Sequence, residues 1–119
     1  MRFLSIYTSV ETGRPPSAEE MNQMGALIEK FMKTGELVAT EGCLPTALGV
    51  RVRKDGSKVT VKDGPFTESK EVVGGFAILE ARSKAHAIEL AKEFLEVAGD
   101  GECEIRALYD AEGPAGRTE

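Results

Sequence analysis

The succession of apolar patterns predicts an α+β fold with a ferredoxin-like sheet, two helices on one face and an inserted hairpin. Three observations carry it. Two stretches of helical periodicity each lie between stretches of strand character, a third stretch alternates with period two about a polar turn, and 119 residues suit one core.

The first strand is expected over Arg2 to Ser9, before the loop Glu11-Thr12-Gly13-Arg14-Pro15-Pro16. Ser17 and Glu20 then have the spacing of a capping box, in which hydroxyl and carboxylate satisfy amides that the first helical turn leaves unpaired. Met21, Met24, Ile28 and Phe31 share a helical face, a core stripe, while Lys30 and Lys33 suit the C-terminal dipole and Gly35 the stop. Leu37 to Thr40 is a short strand and Glu41-Gly42-Cys43-Leu44-Pro45 a loop. In the hairpin, Val50 and Val52 alternate with Arg51 and Arg53, and Val59 and Val61 with Lys58, Thr60 and Lys62, around Lys54-Asp55-Gly56-Ser57.

Val72 to Ala81 is the strongest later strand. Ser83 caps a second helix reaching about Val97, with Ala87, Ile88, Ala91, Phe94 and Leu95 as its apolar face. A last strand over Glu104 to Tyr109 closes the domain, expected at 1–109, and 110–119 reads as a flexible tail.

Two helices on one side leave the other sheet face without a layer. Yet in Phe3-Leu4-Ser5-Ile6-Tyr7 and Phe76-Ala77-Ile78-Leu79 residues of both parities are apolar, as in strands buried on two faces. A second subunit is the expected cover.

The formal charge of -5 opposes direct nucleic-acid binding, which depends on neutralising phosphates. The hairpin departs from it, with Arg51, Arg53, Lys54, Lys58 and Lys62 against Asp55 between Arg51 and Lys62. Those cations either discourage edge-to-edge pairing or form a basic wall for an anionic ligand. No apolar run approaches the roughly 20 residues that span a bilayer, and the short apolar start is no signal-peptide core, so the expected location is the cytoplasm without a membrane partner. Cys43 and Cys103 lack metal-ligand spacing and the chain has one His, so no metal site is expected, nor is any cofactor motif visible.

The run Asp63-Gly64-Pro65-Phe66-Thr67-Glu68-Ser69-Lys70-Glu71-Val72, closing on Val73-Gly74-Gly75-Phe76, is too particular for propensity alone. It resembles the motif of the DGPF proteins within the YCII-related family, with Thr67 and Ser69 in place of the usual alanine and threonine. The resemblance extends from Met1 to about Tyr109 and implies a dimeric α+β barrel formed by sheet-to-sheet association. It also implies a regulatory alternative: a module working with an extracytoplasmic-function sigma factor, since such genes often adjoin.

Physically, Gly64 and Pro65 turn the chain out of the hairpin and Phe66 anchors it. If the backbone stays extended, Thr67, Ser69 and Glu71 face one way and Glu68 and Lys70 the other. Gly74 and Gly75 point to a bulge or a close backbone approach. The run is then either a structural corner or part of a small-molecule pocket. For the pocket, Asp63 is the candidate acid or base, Glu68 and Lys70 its polar neighbours, Arg51 and Arg53 the anion contacts, Phe66 an apolar wall and Tyr7 a phenol from the sheet. Better-known YCII-like proteins carry a His in the first helix and an Asp after the second, proposed as a catalytic pair. Here the first helix has no His, and Leu95-Glu96-Val97-Ala98-Gly99-Asp100 lacks the accompanying Asp-Pro pattern, so that pair does not carry over. The lone His86 is expected at the surface.

Overall fold

The computed structural model describes residues 1–109, so the tail expected over 110–119 lies outside the described residues. Strand β1 spans Arg2–Ser9, helix α1 Ala18–Thr34 and β2 Leu37–Gly42; β3 (Val50–Asp55) and β4 (Lys58–Asp63) form the hairpin; β5 (Val72–Glu80), α2 (Lys84–Ala98) and β6 (Glu102–Ala107) complete the order. The main sheet is antiparallel with order β2-β5-β1-β6, and β3 and β4 pair only with each other as a second sheet. This is a mixed α+β structure consistent with the ferredoxin-like arrangement, with the hairpin inserted between its halves.

Local chemistry sets the helix ends. The Ser17 Oγ accepts from the Glu20 amide at 3.1 Å while the Ser17 amide donates to Glu20 Oε1 at 2.8 Å, so the capping box is formed reciprocally. At the other end Gly35 takes the left-handed conformation, φ 82°, and its N–H closes on the Met32 carbonyl. Ser83 caps α2 through the His86 amide at 3.1 Å.

Both helices cover one face. Phe3, Leu37 and Leu79 from the sheet pack with Leu27 and Phe31 of α1 and Ala87 and Leu90 of α2. The expected α1 stripe holds at Met24, Ile28 and Phe31, with Leu27 buried beside them, whereas Met21 is 60% exposed because the core begins one turn later, at Met24. Likewise Leu90 replaces Ile88 on the buried face of α2. Lys30 is drawn away from the α1 terminus to an ion pair with Glu93 of α2. The last strand starts two residues earlier than expected, with Glu102 opposite Thr8 and Phe3 opposite Ala107.

Leu4, Ile6, Phe76 and Ile78 are the other parity. Leu4 faces Ile78 and Ile6 faces Phe76 across the β1–β5 pair, and all four are half-buried, outside the helix-covered core. Among the described residues no element forms a layer over that apolar face. No helix among the described residues is long and apolar enough to cross a membrane.

Candidate functional site

The corner between β4 and β5 is built around Phe66, which is 9% exposed. The Gly64–Pro65 peptide bond is cis, and the Gly64 amide donates to the Gly49 carbonyl at 2.9 Å. A Cβ on Gly64 would lie 1.7 Å from the Thr46 carbonyl oxygen, so this position needs glycine for space. The short 3₁₀ turn Thr46–Leu48 lies against the corner, and the Thr46 Oγ accepts from the Phe66 amide at 3.4 Å. That turn is tied down in its own right. Thr46 donates from its amide and hydroxyl to the two carboxylate oxygens of Glu11 at 2.7 and 2.6 Å, which lowers the Glu11 pKa, the hydroxyl bond contributing most.

Beyond Phe66 the backbone does not stay extended. The Ser69 amide donates to the Phe66 carbonyl at 3.1 Å and closes a turn through Thr67 and Glu68. The expected alternation is therefore lost, and Glu68 and Ser69 reach the same partner. Arg51 donates to Glu68 Oε2 at 2.6 Å and to Ser69 Oγ at 3.3 Å, and its guanidinium carbon lies 3.8 Å from the Phe66 ring centroid. Lys62 donates to the same Glu68 oxygen at 2.9 Å. These bonds, Lys62 first, then a backbone amide and Arg51, hold the Glu68 pKa down at about 2.

Cross-strand register explains the convergence. Arg51 sits opposite Lys62, Arg53 opposite Thr60 and Asp55 opposite Lys58, so these six share one hairpin face. Of its cations, Arg51 and Lys62 are engaged by Glu68, whereas Arg53 and Lys58 make no ion pair among the described residues. The structure thus brings Arg51, Phe66 and Glu68 together, joined by Lys62 and Ser69.

The other named residues lie apart from that cluster. Asp63 sits opposite Val50, on the valine face of the hairpin. Lys70 is exposed and makes no ion pair among the described residues. Tyr7 is on the helix side of the sheet, where its ring meets Phe94 edge to face at 5.2 Å and its hydroxyl donates to the Asp100 carbonyl at 2.8 Å. At the start of β5 the glycine pair does what its sequence implied. The register shifts between Tyr7 and Thr8, leaving Gly74 as the extra residue, and a Cβ on Gly75 would stand 2.7 Å from the Glu41 carbonyl oxygen.

His86 departs from its expected surface placement: its side chain is 11% exposed. Nδ1 accepts from the Arg82 amide at 3.0 Å, which leaves the ring proton on Nε2 to be donated to Glu36 Oε2 at 2.8 Å. Thr34 Oγ donates to the other Glu36 oxygen at 2.7 Å. Glu36 is held below the usual carboxylate range by Thr34 first and His86 second. With both ring nitrogens committed, His86 ties the start of α2 to the end of α1. Cys43 is exposed, and Cys103 is half-buried with its thiol pKa raised by burial. Among the described residues no group of three or more His, Cys, Asp or Glu side chains could hold a metal ion.

Two comparisons bear on this geometry. The family model for the YCII-related domain matches residues 1–111. An uncharacterized protein of Rhizobium meliloti (strain 1021) is 28% identical over 89 residues, which cover 74% of this chain and 72% of its own length.

Proposed function

This chain belongs to the YCII-related family, and from that premise we propose that it works as a cytoplasmic homodimer of the DGPF type that binds a small anionic molecule on the basic hairpin face beside the motif corner. The observation that carries the ligand class is the uneven use of that face. Glu68 already occupies Arg51 and Lys62 as an internal carboxylate, while Arg53 and Lys58, on the same face, have no ion-pair partner among the described residues. Arg53 and Lys58 lie diagonally on that face, with Asp55 opposite Lys58, and a carboxylate or phosphate is the ligand group that would pair with them. The homodimer rests on the uncovered Leu4, Ile6, Phe76 and Ile78 face.

Asp63, on the valine face of the hairpin, stands on the other side from this anion site, so the acid–base role expected of it is no part of the proposal. Among the described residues it has no ion-pair partner, unlike Glu68 at the other end of the motif. The test is a calorimetric titration with inorganic phosphate and with small mono- and dicarboxylates. Binding that weakens in Arg53→Ala and Lys58→Ala supports the anion site. Identical isotherms in wild type and both variants contradict it. Asp63→Asn, on the other face of the hairpin, should leave that binding unchanged and serves as the control. The regulatory alternative makes a different demand, a stoichiometric complex with a sigma factor in co-purification.

A further inference from the structure

Among the described residues, Glu68 is the carboxylate of the motif run that returns to the basic face of the hairpin. Asp63 lies on the valine face, and Glu71 accepts from the Thr8 hydroxyl at 3.4 Å. The hold that Glu68 takes is incomplete. Arg51 Nη1 and Lys62 Nζ both donate to one oxygen, Oε2, at 2.6 and 2.9 Å, while Arg51 Nη2 donates to the neutral Ser69 hydroxyl at 3.3 Å. A free carboxylate or phosphate presents two oxygens to both arms of a guanidinium at once, which is the stronger pairing.

Replacement of Glu68 by such a group asks little of the fold. The Arg51 and Glu68 side chains are 46 and 50% exposed, and exposed ion pairs contribute little to stability. Arg51 also has a seat of its own: its guanidinium carbon lies 3.8 Å from the centroid of the Phe66 ring, which is buried. Rotation of the Glu68 side chain therefore frees Arg51 Nη1 and Lys62 while the arginine keeps its place.

The cations so freed adjoin the ones already open. Along the hairpin face Arg51 and Lys62 form one cross-strand pair, Arg53 and Thr60 the next, and Lys58 lies beyond, opposite Asp55. Same-face neighbours on a strand are two residues apart, roughly 7 Å. We infer, resting on the anion site proposed above, that the ligand carries two anionic groups about that far apart, one taken by Arg53 and Lys58 and the other by Arg51 and Lys62 in place of Glu68. Glu68 is then a built-in stand-in for the second group: it keeps Arg51 and Lys62 paired in the free protein and competes with the ligand for them. To a monoanion the face offers Arg53 and Lys58.

Carboxyl-detected NMR and calorimetry of the full chain at neutral pH test this with adipate, whose two carboxylates span such a gap, against hexanoate, which has one. Adipate should bind the wild type and move the Glu68 carboxyl resonance towards that of an unpaired glutamate, along the isotherm that calorimetry gives; hexanoate should leave that resonance in place. Glu68→Gln should tighten adipate by about two- to fivefold, the scale of an exposed ion pair no longer in competition. Adipate bound with the Glu68 resonance unmoved, or no tighter in Glu68→Gln, overturns the stand-in and leaves the anion site standing. A resonance moved equally by hexanoate overturns the two-group ligand. No binding of adipate to either chain overturns both the stand-in and the anion site. The resonance is read in the wild type, so that result does not depend on how any variant folds.

Discussion

The guanidinium carbon of Arg51 lies 3.8 Å from the centroid of the Phe66 ring while the same side chain donates to Glu68 at 2.6 Å. One arginine thereby joins the hairpin to both the apolar and the acidic halves of the motif. Phe66→Ala removes the anchor and leaves Arg51 only its polar partners. It should cost about 3 kcal/mol in urea unfolding, the range for a buried aromatic replaced by alanine. A cost near that of an exposed substitution would mean the corner closes without its ring.

Glu68 makes the corner sensitive to acid. Its folded pKa, about 2, lies below that of an unfolded carboxylate, so its contribution is fully present above the ordinary carboxylate range. That contribution is lost as pH falls through about 2. A carboxyl-detected NMR titration should place the Glu68 midpoint well below those of its unpaired neighbours. Lys62→Ala should move it upward more than Arg51→Ala, because Lys62 supplies the larger share. An ordinary midpoint in wild type would remove the ion-pair cluster.

Gly64 admits no side chain. Gly64→Ala sets a methyl carbon against the Thr46 carbonyl at 1.7 Å, a clash with backbone that a rotamer change cannot relieve. Overpacking of this kind destabilises by about 1 to 3 kcal/mol, read as a lower denaturant midpoint with an unchanged slope. Ala at Gly25, which has open space around it, serves as the control and should not lower the midpoint. Equal midpoints for the two variants would mean that the Gly64 corner has room.

The elements legible in the sequence are those fixed by local chemistry. Ser17 and Glu20 marked one helix start, Ser83 the other, and alternation about Asp55-Gly56 gave the hairpin. What escaped it depends on contacts between distant segments. Nothing near Glu11 announces that it will bind Thr46, 35 residues away, and nothing near His86 announces Glu36, 50 residues away. Met21 shares the face of Met24, Ile28 and Phe31 yet stays exposed because the core begins only at Met24, a fact of docking and not of periodicity. In the motif, Phe66 was legible as an anchor. The clustering of Glu68 with Ser69 was not, because one turn at Thr67 and Glu68 cancels the alternation assumed for an extended chain.

The His86 contact gives a further prediction. His86→Ala leaves the Arg82 amide without its acceptor and Glu36 without one of its donors, and should cost about 1 kcal/mol as the net loss of a hydrogen-bonded link. Glu36 is lowered from its ordinary range, so its share of stability is present above that range and declines as pH falls below it. The Glu36 midpoint should therefore rise in His86→Ala and rise further in Thr34→Val. An unmoved midpoint in both would show that neither bond holds the carboxylate.

The central claim is that one chain leaves the Leu4, Ile6, Phe76 and Ile78 face for a second chain to cover. Sedimentation equilibrium of the full chain at micromolar concentration tests it most directly. The predicted result is twice the chain mass, falling toward the chain mass when Ile6 and Ile78 are both replaced by lysine. A wild-type mass equal to that of a single chain across the concentration range would contradict it.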